Sequence, residues 1–194
     1  SSPASSTPYI DSKQLYVYFG SYGLLCYDHD GKEKWSRPIP TPKSLYGMST
    51  SPLGYEDTII LVLDNDSNIT KSRLSQSKIV AFDKSNGATK WSAERPHHRS
   101  GWSSPIIWKH DQGSELIVLG NDKVRSYNPL TGSENWFVGG FSRETIAIPV
   151  VGKNHVFVSS AQLGGVADNE IDPKPFWDAM LQFDKNKDDK ISRT

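Results

Sequence analysis

Short apolar runs recur along this chain at wide and nearly regular intervals. Three of them span residues 15–19 (LYVYF), 59–63 (IILVL) and 116–120 (LIVLG), and a shorter one spans residues 156–158 (VFV). The runs are rich in β-branched and aromatic residues and are bounded by Gly, Asp or Ser, which is typical of buried β-strands. The pattern therefore predicts an all-β chain built from short strands.

A longer phrase follows each of the first three runs. Its copies read LCYDHDGKEKW at 25–35, VAFDKSNGATKW at 80–91 and RSYNPLTGSENW at 125–136. Each copy contains a second short strand that ends in an aromatic residue and Asp or Asn, then a turn with Gly, then a Trp. Gly allows a tight turn because it tolerates positive φ. The Trp opens a third strand and is large enough to fill the gap between one sheet and the next.

Four prolines set the length of the repeat. They stand at positions 8, 52, 105 and 149, spaced by 44, 53 and 44 residues. A fourth strand of the blade is expected to carry the Ser-Pro dipeptides at 51–52 and 104–105, because Pro fits only at a strand start or a sheet edge. A period of roughly 40 to 50 residues made of short strands is typical of the blades of a β-propeller.

At these residues the chain resembles the pyrroloquinoline-quinone-like (PQQ-like) propeller repeat, in which an apolar strand is followed by A-x-D-x-x-T-G-x-x-x-W. The resemblance runs from about Thr7 to Phe183. It implies a partial β-propeller of about four blades, each a four-stranded antiparallel sheet. The chain departs from the family pattern at Tyr127 and Asn128, where Leu-Asp is usual, and in its fourth copy, which has no Trp.

The resemblance also implies domain boundaries and an incomplete ring. We expect residues 1–6 to be a linker or disordered, residues 7–166 to form the blades, and residues 167–194 to form an EF-hand-like insertion or the rest of the fourth blade. Rings of this family have about seven or eight blades, so four blades form about half a ring. An open half-ring exposes two blade faces. The chain is therefore expected to be a fragment of a longer protein or to complete its ring by self-association.

Charge and composition exclude several classes of function. Lys and Arg together number 22 and balance 22 Asp and Glu, so no net charge attracts nucleic acid or an anionic membrane. No apolar run approaches the roughly 20 residues that span a bilayer. Cys26 is the single cysteine and is expected to be a small buried core residue. The family resemblance implies an extracytoplasmic location, whether periplasmic, surface-anchored or secreted.

Two polar segments interrupt the repeat. Residues 64–78 contain Asp64, Asn65, Asp66 and Asn68, which either bind a cation or form an ordinary polar hairpin extension. Residues 95–105 begin with a cluster of basic side chains. These are either a solvent-facing linker between blades or a small cationic patch for an acidic ligand or partner, and they comprise Arg95, His97, His98 and Arg99.

The segment 172–194 resembles the first helix and most of the calcium loop of an EF-hand. Apolar residues repeat at three-four-three spacing along one helix face, at Phe176, Ala179, Met180 and Phe183. Oxygen ligands then fall at loop positions 1, 3, 5, 7 and 9, which are Asp184, Asn186, Asp188, the Lys190 carbonyl and Ser192. Asp189 stands where Gly usually makes the sharp turn, and the sequence stops before the twelfth position, which is normally Glu.

A second interpretation of this segment remains open. Residues 181–184 (LQFD) also match the second strand of the other blades, which would align Asp184 with Asp83 and require no ion. Against this interpretation, no Trp follows at the expected distance.

Two classes of function fit the resemblance. In a quinoprotein dehydrogenase the ring holds the quinone with calcium and a catalytic Asp, and no residue of this chain maps onto such a site, so neither catalytic residues nor PQQ binding are predicted. The other class is a noncatalytic extracytoplasmic scaffold that binds a protein or another ligand, with calcium as a stabilising ion. We favour the scaffold, and the alternative is a fragment of a PQQ-dependent dehydrogenase or a recognition module of a larger secreted enzyme.

Overall fold

The computed structural model describes residues 6–44, 47–48, 50–65, 76–96, 101–120, 122–142, 145–160 and 174–183. Within them, fourteen strands form four antiparallel sheets that follow one another along the chain. In every sheet, strands that are neighbours in sequence are also neighbours in space. This meander is the arrangement expected of consecutive propeller blades.

The first three sheets have four strands each. The first contains β1 (Tyr9–Ile10), β2 (Gln14–Phe19), β3 (Gly23–Asp28) and β4 (Glu33–Arg37). The second contains β5 (Leu53–Tyr55), β6 (Thr58–Leu63), β7 (Lys78–Asp83) and β8 (Thr89–Glu94). The third contains β9 (Ile106–His110), β10 (Gly113–Gly120), β11 (Lys123–Tyr127) and β12 (Glu134–Gly139).

The fourth sheet has two strands in the described part of the chain, β13 (Val150–Val151) and β14 (Val156–Phe157). The predicted partial propeller is confirmed. The blade with only two described strands is the fourth, whose copy of the repeated phrase lacks the Gly turn and the Trp. Both Ser-Pro dipeptides occupy the predicted place, because β5 and β9 each begin directly after the proline.

Each core cluster lies between two successive sheets. All six residues of β6 are buried, and its five apolar residues alternate between two clusters. Ile59, Leu61 and Leu63 pack with the first sheet, whereas Ile60 and Val62 pack with the third. A blade in the middle of a row is covered on both faces, so its central strand is a continuous apolar run.

The turn of the repeated phrase has the same construction in the first three sheets. A register shift occurs just before it in each copy, between Cys26 and Tyr27 in the first sheet. The Asp or Asn side chain then accepts backbone N–H groups of the turn: Asp28 Oδ1 from Lys32 at 2.9 Å, Asp83 Oδ1 from Ser85 at 2.8 Å. Asn128 Oδ1 accepts from Leu130 at 2.9 Å, so its departure from the family's Asp preserves this role.

The described part of the chain contains one α-helix, α1 (Lys174–Met180), which precedes a 3-10 turn at Leu181–Phe183. Residues 181–183 therefore continue the helical backbone and do not form the strand that the second interpretation expects, whereas Asp184 lies outside the described residues. Lys174 and Asp178 form an ion pair of 2.6 Å across one turn of α1. Within the described residues, no helix has the length and apolar character needed to cross a bilayer.

Candidate functional site

Two tryptophans of the repeated phrase join each blade to the next. Trp35 donates its indole N–H to the carbonyl of Lys84 at 2.9 Å, and Trp91 donates to Pro129 at 3.2 Å. Each ring covers the glycine of the neighbouring turn, where an added Cβ would lie 2.7 Å from Trp35 at Gly87 and 2.5 Å from Trp91 at Gly132. The prediction that these rings fill the gaps between blades is confirmed.

The third tryptophan of the phrase behaves differently. Trp136 donates its N–H to Glu115 Oε2 at 2.7 Å, within its own sheet. The link to the fourth sheet is made instead by Trp108 of β9, which donates to the carbonyl of Gly152 at 3.2 Å. Sequence reasoning missed Trp108, since it stands outside the phrase and its spacing gives no signal for this role.

Hydroxyl groups connect the strand starts of successive blades. The Ser51 hydroxyl accepts the backbone N–H of Thr7 at 3.0 Å, and the Ser104 hydroxyl accepts that of Ser51 at 3.0 Å. The corresponding residue in the fourth copy is Ile148, which has no hydroxyl to extend the series. The Ser-Pro dipeptides therefore bring the first strands of the blades side by side, in addition to starting them.

A buried ion pair lies between the second and third blades. Arg95 and Asp64 are 1% and 4% exposed, and the Arg95 Nε and Nη2 atoms donate to the Asp64 carboxylate at 3.0 to 3.1 Å. Arg95 Nη1 donates to the Tyr127 hydroxyl, and the guanidinium lies 5.5 Å from the centre of that ring. Burial raises the pKa of Asp64 above its ordinary value, while the charge of Arg95 opposes that rise.

This ion pair corrects two expectations for the polar segments. Asp64 is not available to a cation, because Arg95 occupies its carboxylate, and Arg95 is not part of a surface patch. Asn65 is also buried, and its Oδ1 accepts the backbone N–H of Lys43 at 2.8 Å. The other residues of these expectations lie outside the described part of the chain: Asp66, Asn68, His97, His98 and Arg99.

Cys26 lies in the core between the first two blades and is fully buried. Burial raises the pKa of its thiol to about 11, so the thiolate is disfavoured at neutral pH. The expectation of a small core residue is confirmed.

Two clefts lie at the border between the first and second blades. One, of about 400 Å³, places the charged side chains of Arg37, Lys78 and Glu94 beside apolar Val80 and Phe82. The other, of about 830 Å³, lies beside the turns and is lined by acidic and basic groups, including Asp11 and Lys84, which form an ion pair of 3.0 Å. Both clefts are lined by polar side chains together with at least one aromatic side chain, Phe82 in the first and Tyr16 in the second.

The predicted calcium ligands are not among the described residues. Asp184, Asn186, Asp188, Lys190 and Ser192 all follow the 3-10 turn that ends at Phe183. In the part of the chain that the structure describes, no group of three or more His, Cys, Asp or Glu side chains has the arrangement of a metal site. The calcium site therefore stays a prediction, and the helix expected before it is present.

Comparison of the sequence with protein families gives a match over residues 1–171 to the family described as outer membrane protein assembly factor BamB. The chain belongs to this family. The BamB family model thus covers all four sheets and ends before α1. Comparison with curated proteins finds no match at the significance level applied.

One solved structure shows the same fold, and two others are less similar. BamB from Moraxella catarrhalis is similar with a TM-score of 0.61 and 15% sequence identity, over 80% of this chain and 46% of that one. The chain thus spans about half the length of that BamB. Quinohemoprotein alcohol dehydrogenase from Comamonas testosteroni has a TM-score of 0.49 and 13% identity, over 72% of this chain and 21% of the dehydrogenase. A europium-containing methanol dehydrogenase has a TM-score of 0.47 and 14% identity, over 70% and 24% of the two chains.

Proposed function

We propose that this chain is a noncatalytic scaffold that binds other proteins outside the cytoplasm. The observation that carries the proposal is the match of residues 1–171 to the family of an outer membrane protein assembly factor. The structure adds a physical reason: the tryptophans, and the hydrogen bond from buried Arg95 to Tyr127, join one blade to the next. A row of blades fixed in this way holds its surface clefts in constant positions, which favours recognition of a partner with little loss of conformational entropy.

Completion of the ring is a second part of the proposal. Large apolar side chains are exposed at both ends of the row of sheets, among them Ile10 at 60% in the first sheet and Val150 at 64% in the fourth. Exposed apolar surface of this kind is typical of a contact face. We propose that further blades, from a longer chain or from another copy, cover these ends.

Substituting Ile10 with lysine tests ring completion by another copy. The variant would place a charged ammonium group in the contact between blades, so we expect the dissociation constant for self-association to rise about ten-fold or more. Sedimentation velocity over a range of protein concentrations measures it. Ser92→Lys, at an exposed position on β8, is the control. Self-association that is the same in both variants would contradict completion by a second copy.

A calcium ion bound by the segment after α1 is the third part of the proposal, with Asp184, Asn186, Asp188, Lys190 and Ser192 as ligands. Loop positions 1 to 11 run from Asp184 to Thr194, and tight calcium binding also takes a bidentate glutamate at position 12. A glutamate added directly after Thr194 should supply that ligand and strengthen calcium binding at least ten-fold by calorimetry. Asp184→Ala should abolish the gain, whereas Asp189→Ala, outside the ligand set, should leave most of it.

Titration with PQQ, followed by absorbance, separates the scaffold from a dehydrogenase in the same experiment. The scaffold predicts no spectral change with or without calcium. Saturable quinone binding would overturn the noncatalytic assignment. If neither the present chain nor the chain with the added glutamate binds calcium, the calcium site is contradicted, but the proposal of a noncatalytic scaffold is not.

A further inference from the structure

The outer strand of the third blade differs from those of the first two. β4, β8 and β12 are each the last strand of their sheet, so each presents backbone groups on a free edge. β4 and β8 have charged side chains near both ends, at Glu33, Lys34 and Arg37 and at Lys90 and Glu94. Charges on an edge strand discourage pairing with another chain. β12 has only Glu134 at its start, and residues 135–142 carry no charge.

Apolar side chains are exposed on both faces of β12. Phe137 is 54% exposed and Val138 is 53% exposed. When the blades are aligned on Trp91 and Trp136, the matching residues of β8 are the smaller Ser92 and Ala93. The free edge of the third blade is therefore both less charged and more apolar than that of the second.

Arg125 holds Phe137 in place on this edge. Its guanidinium lies 4.8 Å from the centre of the Phe137 ring, and its Nη1 atom pairs with Glu134 at 2.7 Å. Arg125 and Phe137 are also directly opposite each other in the pairing of β11 with β12. The one acidic group of β12 is thus neutralised from within the sheet, and the aromatic ring is preoriented for contact.

We propose that β12 pairs with β12 of a second copy of this chain, antiparallel and across a two-fold axis, so that two four-stranded sheets become one continuous sheet. A register centred on Phe137 places the two Phe137 rings opposite each other. It also sets Trp136 opposite Val138 twice, which is a favourable pairing of aromatic and β-branched side chains.

Charge favours a second copy as the occupant. No like charges are opposed in this register, since Glu134 faces the uncharged Gly140. The whole chain has a formal net charge of zero, so two copies do not repel each other at long range. This contact is separate from ring completion, because it uses the outer edge of the third blade and not the ends of the row.

Phe137→Glu tests the pairing. Within one chain the new carboxylate lies opposite Arg125, so the fold is expected to tolerate it, but in the dimer two carboxylates would face each other. We expect the dimer dissociation constant to rise about ten-fold or more, and Ser92→Glu on β8 to leave it unchanged. Sedimentation velocity measures the constant, and hydrogen exchange should show protection of amides in residues 134–139 that is lost on dilution.

Val138→Lys is the second variant, because it charges the other face of the same strand. Equal thermal unfolding temperatures of the variants and the parent chain, measured at concentrations where the parent is monomeric, establish that folding is unaffected. A chain that stays monomeric at all concentrations would overturn the pairing, as would a dimer insensitive to both substitutions. The pairing would also be overturned if Ile10→Lys dissociates the dimer and Phe137→Glu leaves it unchanged. That result would support ring completion instead.

Discussion

Replacing Arg95 with methionine is expected to lower the free energy of unfolding by about 3–5 kcal/mol at pH 7, the range for removing one partner of a buried ion pair. The substitution leaves the Asp64 carboxylate without its bidentate donor at a position where it is only 4% exposed. It also removes the donor to the Tyr127 hydroxyl. Urea unfolding followed by tryptophan fluorescence measures the loss.

The pH dependence of that loss has a defined sign. Burial already raises the pKa of Asp64, and removal of Arg95 takes away the charge that opposes the rise. In the unfolded chain the carboxyl titrates near 3.9, so above about pH 4 folding of the variant must either bury a charge or bind a proton. The unfolded state is the same in both chains, so the deficit relative to the parent follows the two folded-state pKa values of Asp64. It should grow as the pH rises from the raised pKa in the parent toward the still higher pKa in the variant, and shrink at lower pH.

A double variant shows whether the charge or the packing is responsible. In Asp64→Leu combined with Arg95→Met, both charges are replaced by apolar groups, and such replacements are often neutral or stabilising. We expect most of the lost stability to return. A double variant as unstable as Arg95→Met would contradict the assignment and place the loss in the packing around Tyr127.

The repeat made the architecture predictable, since each of its signals is local. Strand runs, the Gly turn and the following Trp lie within one copy of the phrase, and comparison of three copies indicates which positions matter. The role of Asn128 follows from the same logic: an amide oxygen accepts the turn N–H groups as a carboxylate does. The contacts of Trp35 and Trp91 with the next blade follow from the size of the ring and the regular spacing.

The buried ion pair was not predictable from the same signals. Arg95 pairs with Asp64, 31 residues earlier, and with Tyr127, 32 residues later. Both charged residues adjoin polar segments whose composition is typical of exposed loops, so local patterns favoured solvent or a bound ion. Trp136 packs in the core cluster shared with the fourth sheet, but its N–H donates to Glu115 of β10 within its own blade, which the repeat did not predict. The contact of Asp64 with Arg95, and that of Arg95 with Tyr127 of the next blade, are not encoded in the period of the repeat.

Gly87→Ala is expected to destabilise the chain by about 2–5 kcal/mol. Gly87 has a φ of 71°, and a side chain in this left-handed region costs roughly 1–2 kcal/mol. The added Cβ would also lie 2.7 Å from the Trp35 ring, which its hydrogen bond to Lys84 holds in place. Overpacking of this kind costs typically about 1–3 kcal/mol more. Thermal or urea unfolding measures the total.

The first blade supplies a matched control for this substitution. Gly31 occupies the same place in its turn with a φ of 81°, but no atom lies within 4 Å of the position its Cβ would take. Gly31→Ala therefore carries the backbone strain without the clash and should cost only about 1–2 kcal/mol. The difference between the two losses of unfolding free energy measures the cost of the clash between the added Cβ and the Trp35 ring of the neighbouring blade. Equal losses would show that turn strain alone explains the glycine, and that the indole of Trp35 moves aside without cost.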